Sequence, residues 1–483
     1  MSSEKHLHPV GMLVGAISTL RRWISGLVLP GVFLLVSQGF SLWTMTLFLL
    51  GILVVAVLAA LWGFLSWRAT TYAVTGNSFR LRQGVFQKNE RTIPLEHVQS
   101  VDTVQGIIQR VFGVVEVRIE TAGGGVSEPD ASLSALDRDA VQTLRREIEG
   151  SQIERSEETT GPTVLRRLSR RELLVAGATS GQIGVAFSLI AVGSQFLDDF
   201  LSERFVRRLV ETLAPNWLMV VLILVPAAVL LAWLLAIAGT VLAYTGFTLS
   251  REGDFLYIKR GLLERREATI PLARIQAVRI SEGVLRQPFG LASLRVESAG
   301  YGEDAGVSAT LFPLLPRNEV GEFLAVAAPE FAVAPTMKPL PRRALRRYVF
   351  RATFVYLIIA FAAAPVSFLV LQSALGLLAL FLILPAAAYG WLCYRDAGWA
   401  LEEDRLVVRY RSLGRKTAVA PRRRLQSLGV IRSPFQRRAR LATFLAEVAS
   451  GSGGSALRVR DLDAVAAETL AGELGPKVRL EGA

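Results

Sequence analysis

The stretch IPLEHVQSV at residues 93–101 is nearly repeated as IPLARIQAV at residues 270–278. Without any gap, the same alignment places Phe112-Gly113 opposite Phe289-Gly290. Self-similarity in a constant register is the mark of a fold built from repeated units, so one structural unit is predicted to occur more than once in this chain. The motif positions shared by the two copies are Gly84, Pro94, Gln99, Phe112 and Gly113, and Gly261, Pro271, Gln276, Phe289 and Gly290.

A third and divergent copy follows, marked by Pro421 and Gln426. It has Ala439-Arg440 where the other copies have Phe-Gly, and Arg411 where they have the early glycine. The three predicted domains are residues 71–150, 244–328 and 398–475.

Each domain is predicted to contain short β-strands closed by a helix. Runs such as residues 79–83 and 116–120 alternate apolar and polar side chains, which then point to opposite faces of a strand. Residues 137–149 carry apolar side chains at helical spacing, and Asp137 can cap that helix. This order of elements predicts a small barrel or sandwich with a C-terminal helix.

Long apolar stretches without Asp, Glu, Lys or Arg occur in pairs before every domain. They are residues 24–40 and 42–65, 173–197 and 217–243, and 352–371 and 373–394, so that the three pairs span residues 24–65, 173–243 and 352–394. About twenty apolar residues cross the hydrocarbon layer as a helix. Each pair is therefore predicted to be a transmembrane hairpin, which gives six spans in an α+β membrane protein. Residues 1–23 are predicted to form an N-terminal interfacial helix, because apolar residues recur there at helical spacing.

Because a hairpin returns the chain to its starting side, the termini and all three domains are predicted to share one compartment. Arginine is abundant in segments 1–22 and 66–171 and after residue 395, so the positive-inside rule predicts a multi-pass protein of the bacterial inner membrane with both termini in the cytoplasm. A cleaved signal peptide is the alternative for the first apolar stretch. No convincing cleavage site precedes the second span.

The net charge of +13 includes two arginine quartets of identical spacing, which precede the second and third hairpins. On one helix this spacing puts four guanidinium groups on a single face, beside the anionic inner leaflet. Two explanations stay open, a signal that orients the spans and a site for anionic lipid. Nucleic acid is not expected as a partner, because no aromatic residues are interleaved. The quartets are Arg166, Arg167, Arg170 and Arg171, and Arg342, Arg343, Arg346 and Arg347.

Paired spans followed by this motif resemble the bacterial pleckstrin-homology-like (PH-like) membrane proteins of the YdbS/YdbT type. Three hairpin-plus-domain units and the opening Leu7-His8-Pro9 are similar to the larger, YdbT-type, branch. The resemblance implies two nearly orthogonal sheets closed by a helix, a smaller YdbS-like membrane partner and a role in envelope defence. The motif residues then have structural explanations, with the glycines at tight turns or bulges and the prolines at strand starts or edges.

Catalytic chemistry is not expected. His97 stands alone, Cys393 is the single cysteine, and no cluster of His, Cys and Asp has metal-ligand spacing, so no cofactor or metal is predicted. The expected function is a non-enzymatic scaffold or binding platform. A transporter or exporter component built on the six helices is the alternative, although no ionisable group lies at the middle of any predicted span.

The third domain is expected to have specialised. It has lost the Phe-Gly aromatic, which is expected to be buried in the other domains, and it has gained arginines. The arginine triplet Arg422, Arg423 and Arg424 is a candidate surface for anionic headgroups or an acidic partner, because guanidinium groups make paired contacts.

Overall fold

A computed structural model describes the chain in ten segments. They are residues 4–21, 23, 42–121, 131–153, 162–181, 188, 217–298, 310–371, 381–449 and 455–475. These residues form two compact units, one of Met1–Arg167 with Leu242–Ala273, and the other of Leu168–Val241 with Arg274–Ala483.

The first unit contains two antiparallel sheets. One has the order β1 (Lys5–His6), β2 (Thr71–Thr75), β3 (Ser78–Gln83), β4 (Asn89–Pro94). The other has the spatial order β7 (Ala131–Asp137), β6 (Val114–Thr121), β5 (Val98–Gln105), β11 (Arg265–Pro271), β10 (Phe255–Arg260), β9 (Thr248–Glu252), β8 (Thr163–Arg167). Its helices are α1 (Gly11–Arg21), α2 (Leu42–Arg68), α3 (Ile107–Val111) and α4 (Arg138–Ile153).

The second unit contains two further sheets. One has the order β14 (Thr310–Pro316), β13 (Leu291–Ser298), β12 (Ile275–Glu282), β18 (Arg415–Pro421), β17 (Arg405–Arg411), β16 (Gly398–Glu402), β15 (Lys338–Pro339), and the other has the order β19 (Leu425–Ile431), β20 (Leu441–Val448), β21 (Ser455–Asp463). The other α-helices of the described residues are α5 (Arg170–Ala178), α6 (Trp217–Tyr244), α7 (Val320–Ala327), α8 (Arg343–Leu371), α9 (Ile383–Asp396), α10 (Pro434–Arg438) and α11 (Ala464–Leu474).

The first domain is a sandwich closed by its last helix, as its strand-then-helix order predicts. Phe79 and Leu81 of β3 pack in one core with Val117 of β6, Leu133 of β7 and Leu144 of α4. Helix α4 begins at Arg138, directly after Asp137, and the Asp137 side chain accepts a hydrogen bond from the Arg138 N–H at 3.0 Å.

The third domain has the same organisation. Leu406 and Val408 of β17 share a core with Phe444 of β20, Leu457 of β21 and Leu470 of α11. This core is filled without a Phe-Gly pair, and Phe444 is fully buried in it.

Consecutive repeats are joined through their sheets. Strand β5 of the first repeat pairs with β11 of the second, where Gln105 lies opposite Arg265. Strand β12 of the second repeat pairs with β18 of the third, from Val278 opposite Val419 to Glu282 opposite Arg415. Each junction satisfies backbone groups that would otherwise line an open sheet edge.

Each predicted hairpin is inserted after a short strand. The strands β1, β8 and β15 precede the three predicted hairpins, and they pair with β2, β9 and β16, which follow them. Leu7, directly after β1, lies in the core of the first domain and is 4% exposed. The chain thus begins each sheet before it enters the predicted membrane segment and completes the sheet afterwards.

Two helices of the described residues are long and apolar enough to cross a membrane, Met45–Arg68 and Val225–Tyr244. The predicted count of six spans is therefore not confirmed. Residues 24–41 and 189–216, which hold large parts of two predicted spans, lie outside the described residues, as do residues 372–380. The predicted N-terminal helix is present as α1 and packs closely on α2, since a Cβ at Gly63 would lie 2.6 Å from the Ala16 nitrogen.

Candidate functional site

A cavity of about 560 Å³ lies between helices α8 and α9 and the third domain. Helices α8 and α9 form one side of it, and strands β17 and β21 form the other. The two helices approach closely at Gly390, where a Cβ would lie 2.8 Å from the Val349 Cα. Glycine is required at this position because any larger residue would push the helices apart.

Four arginines line this cavity, which we call the basic pocket: Arg351, Arg411, Arg458 and Arg460. No acidic side chain is among its lining residues, which also include Tyr348, Tyr389, Tyr410 and Cys393. Such a concentration of guanidinium groups attracts anions, because each offers several N–H donors in a fixed plane.

Two of the four arginines are already paired with carboxylates. Arg351 forms an ion pair with Asp461, whose side chain is 0% exposed, and Arg347 binds the same carboxylate at 2.9 Å. Arg411 binds Asp396 and donates a second hydrogen bond to the Gln287 side chain at 2.6 Å. These pairs hold the back of the pocket in place.

The other two arginines have unused hydrogen-bonding capacity. Arg458 and Arg460 alternate with Leu457 and Val459 along β21, so their side chains point to the same face of the strand. Both are exposed, and within the described part of the chain neither has a carboxylate partner.

Tyrosine hydroxyls fix the walls of the pocket. The Tyr348 hydroxyl donates to the Arg460 carbonyl at 3.2 Å, and burial together with the nearby Asp461 carboxylate raises the pKa of Tyr348, which keeps its phenol protonated. The Tyr389 hydroxyl donates to the Ser412 carbonyl, and the Tyr410 hydroxyl accepts from Arg279 at 2.6 Å. The described residues contain no group of three or more His, Cys, Asp or Glu that could hold a metal ion.

The first arginine quartet does not form the predicted helical face. Arg167 is the last residue of strand β8, whereas α5 starts at Arg170 after a capping box made by Ser169 and Glu172. The helix prediction was wrong here because the capping serine sets a later start. Arg166 and Arg167 therefore follow the geometry of a strand, and Arg170 and Arg171 follow that of a helix.

The second quartet is partly used within the protein. Arg343 pairs with Asp463, and Arg347 pairs with Asp461, so both contribute to holding α8 against the third domain. Arg342 precedes the helix, whereas Arg346 lies on it, and both are exposed. Binding of lipid by either quartet stays a prediction.

The arginine triplet lies in a turn between β18 and β19 and is also engaged. The Glu330 carboxylate lies 2.6 Å from Arg423 and 3.5 Å from Arg424, while Arg422 donates to the Gly475 carbonyl at 2.6 Å. Its capture of a partner or lipid stays a prediction. Reversal of these charges would break the contacts just described, all of which lie inside the second unit.

Comparison with known proteins identifies the family. The model of the bacterial PH domain matches this chain three times, at residues 20–152, 212–329 and 355–478. The chain belongs to the bacterial PH domain family. It is also 31% identical over 481 residues to the UPF0699 transmembrane protein YdbT of Bacillus subtilis (strain 168), which covers 96% of both chains. No solved structure gives a significant match. The resemblance found from the repeated motif is thus confirmed, and the chain is an α+β membrane protein with PH-like domains.

The early glycines shape a tight β-turn, which follows β3 in the first repeat and β10 in the second. Gly84 and Gly261 have φ values of 112° and 106°, and a Cβ there would lie 2.0 Å and 1.9 Å from a backbone oxygen in the same turn. These glycines are therefore required for the turn, as predicted. In the third repeat Arg411 occupies the position of the early glycine at the end of β17, and the loop that follows contains Gly414.

The Phe-Gly aromatics are not buried. Phe112 is 47% exposed and Phe289 is 72% exposed, which contradicts the prediction that they belong to their domain cores. The glycine of the pair matters for a different reason, because Gly113 and Gly290 have φ values of 72° and 61° in the left-handed region. Arg440 takes the same conformation in the third repeat, with φ of 53°.

The proline and glutamine positions of the motif have backbone roles. Pro94, Pro271 and Pro421 are the last residues of β4, β11 and β18, not strand starts, and each precedes a short 3₁₀ turn. Gln276 donates from its side chain to the Arg274 carbonyl at 3.0 Å. Gln426 is exposed in β19, and Gln99 lies in β5.

Sequence reasoning missed the basic pocket because its members come from four separate elements. The one available signal was the alternation of Leu457, Arg458, Val459 and Arg460, which places two arginines on one face of a strand.

Proposed function

We propose that this protein is a non-enzymatic scaffold of the bacterial inner membrane. In this proposal six spans form three hairpins, both termini lie in the cytoplasm, and three PH-like domains act there as a binding platform. A smaller YdbS-like membrane protein is the proposed partner, and envelope defence is the proposed setting. Membership of a family that includes a transmembrane protein supports the membrane part of this proposal.

The pairing of sheets between repeats carries the scaffold proposal. Three independently tethered domains would suit separate ligands, whereas paired strands restrict how neighbouring domains move. At the first junction Asp102, which is 8% exposed, accepts a hydrogen bond from the Thr269 N–H at 3.2 Å. At the second, Glu282 is 2% exposed and pairs with Arg415. Buried charged contacts of this kind favour one register of the junction.

Exposed apolar side chains in the β-turns that follow β3 and β10 support a location of these turns against a bilayer. Phe86 is 89% exposed, and its ring centroid lies 5.9 Å from that of Trp62 near the end of α2. The Leu262 N–H donates to the Leu242 carbonyl at 2.9 Å, in the last turn of α6, and Leu263 beside it is 48% exposed. Apolar groups presented at the ends of membrane-type helices are suited to the boundary of the acyl chains.

The topology is tested by fusing a reporter that is active only in the cytoplasm after Gly150, Ala328 or Ala483. All three fusions are expected to give signal, and a stably produced fusion that gives no signal at any one of these positions overturns the hairpin arrangement. The scaffold role is tested by crosslinking in intact membranes, followed by purification in detergent. Recovery of a stable membrane partner in a defined ratio supports it, whereas purification of the chain alone after efficient crosslinking overturns it.

A further inference from the structure

We infer that the basic pocket binds the phosphate of an anionic phospholipid headgroup. The inference rests on the third hairpin of the proposed topology, and it adds a ligand that the scaffold role does not require. A lipid headgroup and free inorganic phosphate in the cytoplasm both carry a phosphate group, so the experiment must distinguish these two sources.

The pocket has the size and charge for such a headgroup. Its volume of about 560 Å³ falls in the usual range for small-ligand sites, roughly 300–1,000 Å³. Arg458 and Arg460 offer guanidinium groups that no carboxylate of the described residues neutralises. Two oxygens of a phosphate group can accept two parallel hydrogen bonds from one guanidinium group, which a lysine cannot supply.

The placement of the pocket favours a lipid over a soluble anion. Arg351 comes directly before the predicted span that starts at residue 352, and Cys393 lies at the end of the predicted span that finishes at residue 394. Both line the pocket, so it opens at the depth where a hairpin leaves the bilayer and headgroups are concentrated.

Apolar side chains next to the lining residues point to the same source. Leu413 follows the lining residue Ser412 and is 78% exposed, and Phe350 precedes Arg351 and is 63% exposed. A soluble phosphate gains nothing from these groups, whereas the glycerol and acyl region of a lipid can cover them.

The equivalent place in the first repeat lacks this chemistry. Strand β7 of that repeat has Ser132 and Ser134 where β21 alternates arginines, and Gln83 stands where the third repeat has Tyr410. The pocket arginines of the third repeat, Arg411, Arg458 and Arg460, therefore have no arginine counterparts in the first repeat.

The test uses the full-length chain purified in a non-ionic detergent, with bound probe counted by native mass spectrometry. The probes are dioctanoyl phosphatidylglycerol, dioctanoyl phosphatidylcholine and inorganic phosphate. Phosphatidylglycerol is expected to bind one site most tightly. The double variant R458Q/R460Q is expected to lose affinity roughly tenfold to a hundredfold, which corresponds to the loss of one or two charge-assisted hydrogen bonds.

The matched control is R437Q/R438Q, which removes the same charge from two exposed arginines of the same domain outside the pocket. It is expected to bind phosphatidylglycerol as the unaltered chain does. Equal loss in both variants, or no loss in R458Q/R460Q, overturns the site. Inorganic phosphate that binds as tightly as the lipid overturns the lipid source. The cytoplasmic reporter pattern is measured on the same variants, so a failure of topology is distinguished from a failure of the pocket.

Discussion

The indole Nε1 of Trp67 donates a hydrogen bond to the carbonyl oxygen of Leu7 at 3.0 Å. Trp67 lies in the last turn of α2, while Leu7 follows β1, so the bond ties the chain after the first hairpin to the chain before it. The third repeat makes the same connection with different chemistry, since the Tyr394 hydroxyl donates to the Leu340 carbonyl at 3.2 Å. Both leucines are buried in the cores of their domains.

Replacement of Trp67 by phenylalanine should loosen this connection while keeping an aromatic ring in place. Loss of one hydrogen bond to a partly buried carbonyl is expected to lower the free energy of unfolding by about 1 kcal/mol. Thermal unfolding of the detergent-purified chain and proteolysis of residues 4–10 measure the effect. Trp43→Phe on the same helix is the control, because Trp43 is 71% exposed. Equal melting temperatures for the two variants would show that this hydrogen bond does not contribute to stability.

Glu282→Gln should weaken the junction between the second and third repeats. Glu282 binds Arg415 at 3.0 Å and also pairs with Arg317, so the substitution removes the carboxylate that holds Arg317 and leaves Arg415 with Asp396, which lies 3.9 Å away. Because Arg317 is 43% exposed and therefore screened, we expect a loss of about 2 kcal/mol, below the usual cost of breaking a fully buried pair. Thermal unfolding measures it, and Glu322→Gln, at an exposed position of α7, is the matched control. A junction that tolerates E282Q as well as E322Q would contradict this account.

Acid should weaken the contact between Glu330 and the arginine triplet. Burial alone would raise the pKa of Glu330, but hydrogen bonds and charge from Arg423 and Arg424 outweigh it and hold the pKa below the ordinary value of 4.5. A carboxyl whose pKa is lower in the folded state contributes stability that is present above its unfolded pKa and is lost as pH falls through the folded pKa. Melting temperatures measured from pH 7 to pH 3 should therefore fall more steeply in the unaltered chain than in Glu330→Gln. Parallel curves for the two proteins would show that this contact contributes nothing.

Phe289→Ala should have little effect on stability, whereas Phe444→Ala should be severe. Phe289 is 72% exposed and Phe444 is 0% exposed. Truncation of a buried phenylalanine costs about 3–5 kcal/mol, and an exposed substitution is usually within about 0.5 kcal/mol. Thermal unfolding of both variants decides the matter. A large loss for F289A would mean that the loop is buried against another part of the protein in the membrane.

Arg440→Gly should stabilise the third domain. Arg440 has a left-handed backbone conformation, which costs an L-residue with a side chain roughly 1 kcal/mol, and the equivalent positions in the other repeats are Gly113 and Gly290. The backbone carbonyl that receives the Arg343 hydrogen bond is kept in the variant. Arg437→Gly, in α10, is the control and should destabilise, because glycine weakens a helix. A lower melting temperature for R440G would show that its side chain makes a contact worth more than the strain.

Local sequence patterns determined much of this protein. The repeated motif from Ile93 predicted the repeats and their family, and the apolar pairs predicted the membrane character. Alternation in runs such as residues 79–83 predicted strands, and the spacing from Asp137 predicted helix α4. These features follow from side-chain periodicity and from turn chemistry, which are written in neighbouring residues.

Other features were decided by tertiary structure alone. No local signal shows that β5 pairs with β11 of the next repeat, because strand pairing joins residues far apart in the chain. The exposure of Phe289 and the ion pair between Arg423 and Glu330 could not be predicted either, because a sequence pattern gives the type of a residue but not the residues that surround it in the fold. The basic pocket gathers Arg351, Arg411 and Arg458 from helix α8 and from strands β17 and β21. Such a site exists only once the chain is folded, because packing brings together charged side chains that are far apart in the sequence.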